Sequence, residues 1–396
     1  MSDDILYVIG SPDVGGTERH LAHIVPRIDR ARYCATIYTL AYPGALAPDL
    51  EAQGIRIVSP PFGSLWKIGG VIRAAFLMFS FVRLVWLMLR LRPAIVHSFL
   101  PLSFICAGLA GLITFCPVAV MSRRSLNDYQ TRRPLFRAVE HFLFRFMSAG
   151  LGNSHAVVKQ LLSEGFAPNR VGLIHNGIDL VAFDSATGSR DAVRRARGCP
   201  EPGFVIVALA NLIPYKGHAD LLRALGSIRT ELPNGWRLWC IGRDDGIGGD
   251  LADLADSLSI ADHIAWLGQR NDVPELLAAA DLFVHASHEE GFSNAVLEAM
   301  AAGLASVVTD VGGNAEAVAN GAMGLVVPPR DPPAMADGIL DLCRNQERRA
   351  AFGKAARCCV ETRFSLDSCM QSYHRLYDGL LRRSGATVSA IIAGST

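Results

Sequence analysis

Two carboxylates, Glu290 and Glu298, stand eight positions apart in Ser287-His-Glu-Glu-Gly-Phe-Ser-Asn-Ala-Val-Leu-Glu. A short apolar run, Leu282 to His285, precedes the first. Ser293 or Asn294 can cap a helix that carries the second. This spacing sets Glu290 at the carboxyl end of a strand, beside a helix N-terminus, and Glu298 on that helix, about two turns further on. In an open parallel sheet that edge is where ligands bind. Helix N–H groups favour an anion such as a diphosphate, whereas carboxylates accept hydrogen bonds from vicinal hydroxyls. A diphosphate with a sugar on each side uses both features.

Other residues suit the same ligand. Gly15-Gly16 follows the apolar run Ile5–Ile9 and precedes a helical pattern. Lacking Cβ atoms, this pair lets the backbone approach a phosphate and take positive φ. It is not Gly-x-Gly-x-x-Gly, so a nicotinamide fingerprint is not supported. Lys216, in Asn211-Leu-Ile-Pro-Tyr-Lys-Gly-His, follows the run Val205–Leu209 and can place a cation on a departing diphosphate. Ser122-Arg123-Arg124-Ser125 follows Val118–Met121, where paired arginines suit an acidic or phosphate-bearing acceptor. No Asp-x-Asp pair occurs, so we expect the leaving group to be stabilised by lysine and helix dipole without a metal, and we expect no cofactor.

Short apolar strands alternate with helical patterns, the signature of doubly wound α/β domains. The first half offers Ile5–Ile9, Thr36–Leu40, Ile55–Val58, Ile95–Ser98, Val118–Met121 and Leu173–Ile174. A second series runs Val205–Leu209, Leu238–Ile241, Ile264–Leu267, Leu282–His285, Ser306–Thr309 and Leu325–Val327. Turn-rich residues 184–202 predict the boundary, giving an N-terminal domain over 1–184 and a C-terminal domain over 203–365. Residues 384–396 read as a frayed tail.

At 396 residues, half of them hydrophobic, the chain can bury two cores. The formal charge of +1 argues against a nucleic-acid partner. It hides an asymmetry: residues 1–185 hold 18 Lys+Arg and 12 Asp+Glu, a balance of +6, and the remainder holds 20 and 25, a balance of −5. Nine scattered cysteines without zinc spacing suggest reduced thiols in a cytosol, and the acidic N-terminus does not read as a signal peptide. Leu100 to Met121 reads as a core helix and a buried strand. Leu65 to Leu91 has two readings: an amphipathic basic helix on an anionic membrane surface, with Phe76, Phe79, Phe81 and Trp86 available for insertion, or a packed helix with snorkelling arginines.

The Glu290–Glu298 stretch resembles the Glu-x7-Glu signature of retaining nucleotide-sugar glycosyltransferases of family 4, which have the GT-B fold. Ser11-Pro-Asp-Val-Gly-Gly-Thr-Glu-Arg, Asn153-Ser-His-Ala-Val, Val171-Gly-Leu-Ile-His-Asn-Gly-Ile-Asp, Pro214-Tyr-Lys-Gly-His and Trp266-Leu-Gly-Gln-Arg-Asn-Asp-Val match further family motifs in family order. The resemblance implies two Rossmann-like parallel-sheet domains facing each other across a cleft, with a last helix over 366–383 that crosses back to the first domain. It implies a co-substrate of the UDP- or GDP-sugar type, with Gly15, Gly16, Asn211, Lys216, Glu290, Gly291, Phe292, Ser293, Asn294 and Glu298 around the donor. Lys216 and Glu290 are the catalytic candidates: the lysine faces the leaving diphosphate, Glu290 the transferred sugar, and Glu298 the ribose.

The sequence departs from the family in two places. Asn211 stands where an arginine is usual, and Arg243 is a weak substitute for the missing charge. Many relatives carry His-x-His where this chain has His97-Ser-Phe99. His97 therefore has two readings, a cleft-lining side chain or a satisfied core histidine, and Phe99 can present an apolar face to the sugar. His97, Phe99, Arg123 and Arg124 are the acceptor-side candidates. The expected acceptor is a lipid-linked or polysaccharide hydroxyl, met by a cytoplasmic enzyme peripheral to the membrane. A non-hydrolysing nucleotide-sugar epimerase of the same fold and a non-catalytic sugar-nucleotide sensor are the alternatives.

Overall fold

The computed structural model describes residues 3–394, except 12–14, 127–129, 131–132, 187, 189, 200–201 and 384. The chain divides into two units, one formed by the residues up to Gly177 with those from Leu366 on, the other by Ile178–Ser365.

The first unit is built on a seven-stranded sheet, β1 (Asp3–Ile9), β2 (Tyr33–Thr39), β3 (Arg56–Val58), β4 (Ile95–Phe99), β5 (Val118–Arg123), β6 (Ala149–Gly152) and β7 (Val171–Leu173). The order is β3-β2-β1-β4-β5-β6-β7, and every pairing is parallel. Both faces are covered, so the strands read as continuous apolar runs. Alternation sends Ile5, Tyr7 and Ile9 of β1 into one core and Leu6 and Val8 into the other.

The sequence reading did not include β6. Ala149-Gly-Leu-Gly carries little side chain because the strand is closely packed. A Cβ on Gly150 would lie 2.6 Å from the Phe166 ring, and one on Gly152 would lie 2.8 Å from Val158. The expected frayed tail is also corrected. A helix, Val388–Ala393, buries Val388, Ile391 and Ile392, and Gly172 of β7 makes room for Val388 and Ile392.

The helix Leu366–Leu381 belongs to the first unit, where Leu366, Cys369, Met370, Tyr373, Leu376 and Tyr377 join the core on the Ile5–Tyr7–Ile9 face. On the other face lies the helix Gly70–Leu91. It buries Phe76, Ser80, Leu84, Leu87 and Met88 and leaves Val71, Met78, Phe79, Val82, Trp86 and Leu89 exposed. Its length and composition would permit a membrane crossing, but the buried stripe is packed in the core. Phe76 is therefore a core residue, not one available for insertion.

The second unit holds a six-stranded parallel sheet, β8 (Val205–Leu209), β9 (Arg237–Ile241), β10 (Ile264–Gly268), β11 (Leu282–His285), β12 (Ser306–Thr309) and β13 (Gly324–Val327), in the order β10-β9-β8-β11-β12-β13. The described residues of 178–202 belong here and not to a linker, which moves the boundary from the expected 184–202 to Gly177/Ile178. They attach by apolar packing and by ion pairs: Phe183 is buried in the core of this unit, and Arg190 and Arg194 both pair with Asp281, whose Oδ2 also accepts the Val205 N–H at 2.8 Å. In each unit the strand order reverses beside the first strand, between β1 and β4 and between β8 and β11. These are the switch points at which open α/β sheets hold ligands.

Candidate active site

At the second switch point the loops after β8, β11 and β12 meet backbone to backbone. Gly217 has φ +71°, and a Cβ there would lie 1.9 Å from the Ala286 carbonyl oxygen. The His288 N–H donates to the Tyr215 carbonyl at 2.7 Å, and the His288 ring bonds Asp220 Oδ2 at 2.7 Å. Gly312, with φ +54°, passes so close to the Glu290 carbonyl that a Cβ would stand 2.0 Å from its oxygen. The Gly313 N–H donates to the Gly291 carbonyl at 2.8 Å. Glycine is required at both crossings because each combines a left-handed φ with backbone contact.

This stitching brings Lys216 and Glu290 together. Lys216 Nζ lies 2.6 Å from Glu290 Oε1, and His285 Nε2 lies 2.8 Å from the same oxygen. Burial alone would raise the Glu290 pKa, but the Lys216 charge and the His285 hydrogen bond outweigh it and hold the carboxyl at about 2. Glu290 is thus an ionised carboxylate in a nearly closed setting. His218 lies fully inside, where burial, with His285 and Lys216 nearby, pushes its imidazole down to about 4.

Ser293 caps the helix Asn294–Ala301, its Oγ accepting the Val296 N–H at 3.4 Å. Of the two capping candidates, Ser293 is the one used. Gly291 and Phe292 are buried just before the helix, with the Phe292 ring 5.3 Å from that of Phe364. Glu298 lies on the same helix, half-buried. Glu289, next to Glu290, is exposed and apart from this cluster. Asn211 Oδ1 accepts the Arg243 N–H at 3.1 Å, and the Arg243 guanidinium is held by Asp245 at 2.6 and 3.2 Å. Asn211 therefore ties the loop after β8 to the loop after β9, and the Arg243 guanidinium is paired with Asp245.

In the first unit the structure separates the acceptor-side candidates. His97 is fully buried, with Nδ1 2.7 Å from Tyr377 Oη and Nε2 2.8 Å from Ser122 Oγ. Phe99 is fully buried too, stacked on His97 at 4.4 Å. Both are core residues: of its two readings His97 takes that of the satisfied core histidine, and Phe99, with its ring buried, has no face open to a sugar. Arg123 is also withdrawn: its guanidinium pairs with Glu164 at 2.5 Å, and both side chains are buried. Arg124 is the member of the pair that stays partly exposed, bonded to Asn176 Oδ1, with Asn153 Nδ2 3.4 Å from its carbonyl. Gly15 precedes the helix Gly16–Ile24 with an extended φ of −129°, so it does not use the left-handed region; Pro12, Asp13 and Val14 of that loop lie outside the described residues.

Sequence reasoning missed the tyrosine cluster behind His97. Tyr7, Tyr373 and Tyr377 are buried, and Tyr373 Oη lies 3.1 Å from His20 Nε2. The signal was present in Tyr373 and Tyr377, four apart on one face of a helix.

The glycosyltransferase family 4 model matches residues 14–181, and the model for glycosyl transferases group 1 matches residues 189–358. The chain belongs to the family 4 glycosyltransferases. A D-inositol 3-phosphate glycosyltransferase from Salinispora tropica is 27% identical over 392 residues, 89% of this chain and 78% of that one. Another from Salinispora arenicola is 32% identical over 236 residues, so that the chain spans about half the length (51%) of that relative. An N-acetyl-alpha-D-glucosaminyl L-malate synthase from Bacillus anthracis is 27% identical over 58% of this chain and 59% of its own. Among solved structures, Anabaena HepE in complex with UDP has a TM-score of 0.82 at 23% identity, covering 96% of this chain and 100% of HepE. For this family 4 chain that likeness shows the GT-B fold of two Rossmann-like domains.

Proposed function

We propose that this chain is a retaining glycosyltransferase that moves a hexose-type sugar from UDP or GDP to a hydroxyl of a lipid-linked or polysaccharide acceptor. The observation that carries this reading is the Lys216–Glu290 pair at the second switch point. It sets a cation suited to the diphosphate against an ionised carboxylate suited to the sugar, beside a helix N-terminus. The capture of HepE with UDP and with UDP-glucose supports a nucleotide-sugar donor.

In this reading the bond between the anomeric carbon and the diphosphate oxygen breaks, and the acceptor oxygen bonds the same carbon on the same face. The acceptor proton passes to the departing diphosphate, so no protein base is needed. Lys216 and the amides that open helix Asn294–Ala301 take up the growing charge, Glu290 orients the sugar, Glu298 holds the ribose, and no divalent metal takes part. The reaction is tested by incubating UDP- and GDP-sugars with and without hydroxyl acceptors, in the presence of EDTA. We expect diphosphate release that depends on acceptor and survives the chelator, with retained anomeric configuration in the product. Conversion of the donor sugar with no acceptor present would overturn this reading in favour of an epimerase.

We also place the chain in the cytoplasm, peripherally at an anionic membrane. Support comes from the helix Gly70–Leu91, which has no acidic residue and pairs an exposed apolar face with exposed Arg73 and Arg90. Such a face gains from apolar insertion and from attraction to acidic headgroups.

A further inference from the structure

Glu290 Oε1 serves two donors, and the two differ in what they can do next. Lys216 Nζ, at 2.6 Å, is on the loop after β8 and is the cation assigned above to the diphosphate. His285 Nε2, at 2.8 Å, comes from the last residue of β11 and is buried, with its side chain 3% exposed. Three neighbours fix His285. Its backbone is paired in the sheet with Val308, its carbonyl lies 3.4 Å from Thr309 Oγ1, and its Nε2 also lies 3.2 Å from Ser293 Oγ, the helix cap. The lysine ends a flexible four-carbon stem, whereas the histidine is an immobile part of the sheet.

A lysine ammonium that bonds a carboxylate at 2.6 Å is partly neutralised. To serve a diphosphate it must turn away from Glu290, and the carboxylate it leaves behind is almost closed from water. An ionised carboxylate stripped of its donor in such a place is costly. We propose that His285 is a positioning residue: its Nε2–H retains the Glu290 carboxylate, in its orientation toward the sugar, while Lys216 transfers to the diphosphate. His285 touches neither substrate; it acts by making the lysine separable from Glu290. The inference rests on the donor site proposed above.

The test compares the affinity of the full-length chain for uridine and for UDP, or guanosine and GDP, by titration calorimetry. The ratio of the two isolates the diphosphate increment. His285→Leu keeps the volume and removes the donor. His285→Asn ends its amide where Nδ1 stood, short of Glu290. Both should lower the diphosphate increment about tenfold, the worth of one hydrogen bond to a charged group. His285→Gln, whose amide reaches the Nε2 position, should restore it. In a Glu290→Gln background, with no carboxylate to retain, His285→Leu should change the increment less than about twofold, as expected when a shared partner is gone. Equal losses in both backgrounds, or no loss in either His285→Leu or His285→Asn, would overturn the inference and leave the donor site standing. A wild-type chain that binds neither UDP nor GDP would sink the donor site and this inference with it.

Discussion

Tyr377 Oη stands 2.7 Å from Nδ1 of His97, joining residues 280 positions apart and tying the helix Leu366–Leu381 into the first sheet. Four further large side chains of that helix, Leu366, Met370, Tyr373 and Leu376, are buried with this pair. Ending the chain at Ser365 should therefore unfold the first unit, since each such side chain contributes about 1.5–3 kcal/mol against a typical total of about 5–15. Tyr377→Phe also removes the contact with Tyr7 at 3.2 Å and should cost about 1–3 kcal/mol. Urea denaturation followed by tyrosine and tryptophan fluorescence measures both. A truncated chain that unfolds like the full one would mean that the helix merely rests on the unit.

Buried histidines, His20, His97 and His218 among them, make stability depend on pH. His97 is pushed down to about 3, first by burial and then by the Arg124 charge, and His218 to about 4. Each is neutral when folded but titrates near 6.5 when unfolded, so its contribution is complete above 6.5 and falls as pH drops toward those folded values. Between pH 7 and 5 each should cost about 2 kcal/mol, at about 1.4 kcal/mol per pH unit below 6.5. Denaturant midpoints at the two pH values give the difference, and His218→Gln should remove its share. A midpoint that does not move between pH 7 and 5 would contradict the burial of neutral imidazoles.

Much of this was legible in the sequence because two-sided burial writes itself as apolar runs. Val205–Leu209, Leu282–His285 and Ser306–Thr309 have the same limits in the sequence and in the structure. β6 was not legible, since close packing against Phe166 and Val158 replaces its side chains with glycine. Spacing to Glu298 singled out Glu290, the family resemblance singled out Lys216, and the structure puts the two in contact. His285 was hidden because it ends an apolar run, where a histidine reads as core. Arg123 and Arg124 look alike in sequence, but Arg123, the last residue of β5, is turned to Glu164 and buried, whereas Arg124, just beyond the strand, stays partly exposed.

The exposed face of helix Gly70–Leu91 predicts salt-sensitive binding to vesicles containing anionic lipid. Each arginine near such a surface is worth about 1 kcal/mol, screened within a Debye length of about 10 Å at 0.1 M salt. Flotation with phosphatidylglycerol vesicles should decline as salt rises, and further in the Arg73→Glu/Arg90→Glu double variant. Binding to no vesicle at any salt would make this an ordinary surface helix.

Asn211→Arg supplies the charge that the rest of the family usually has beside the lysine. If the end of β8 faces the diphosphate, this variant should bind UDP or GDP about tenfold more tightly, the scale of one charged hydrogen bond. The gain is net of the lost bond to the Arg243 N–H. Calorimetry of the two proteins decides it, and unchanged affinity would mean that position 211 does not reach the phosphates.

The most direct measurement is the diphosphate affinity of Lys216→Ala. A charged hydrogen bond is worth about 1.5–3 kcal/mol, so affinity for UDP or GDP should fall at least tenfold while affinity for the bare nucleoside stays unchanged. Equal diphosphate affinity in wild type and Lys216→Ala would contradict the assignment of the Lys216–Glu290 pair as the donor site.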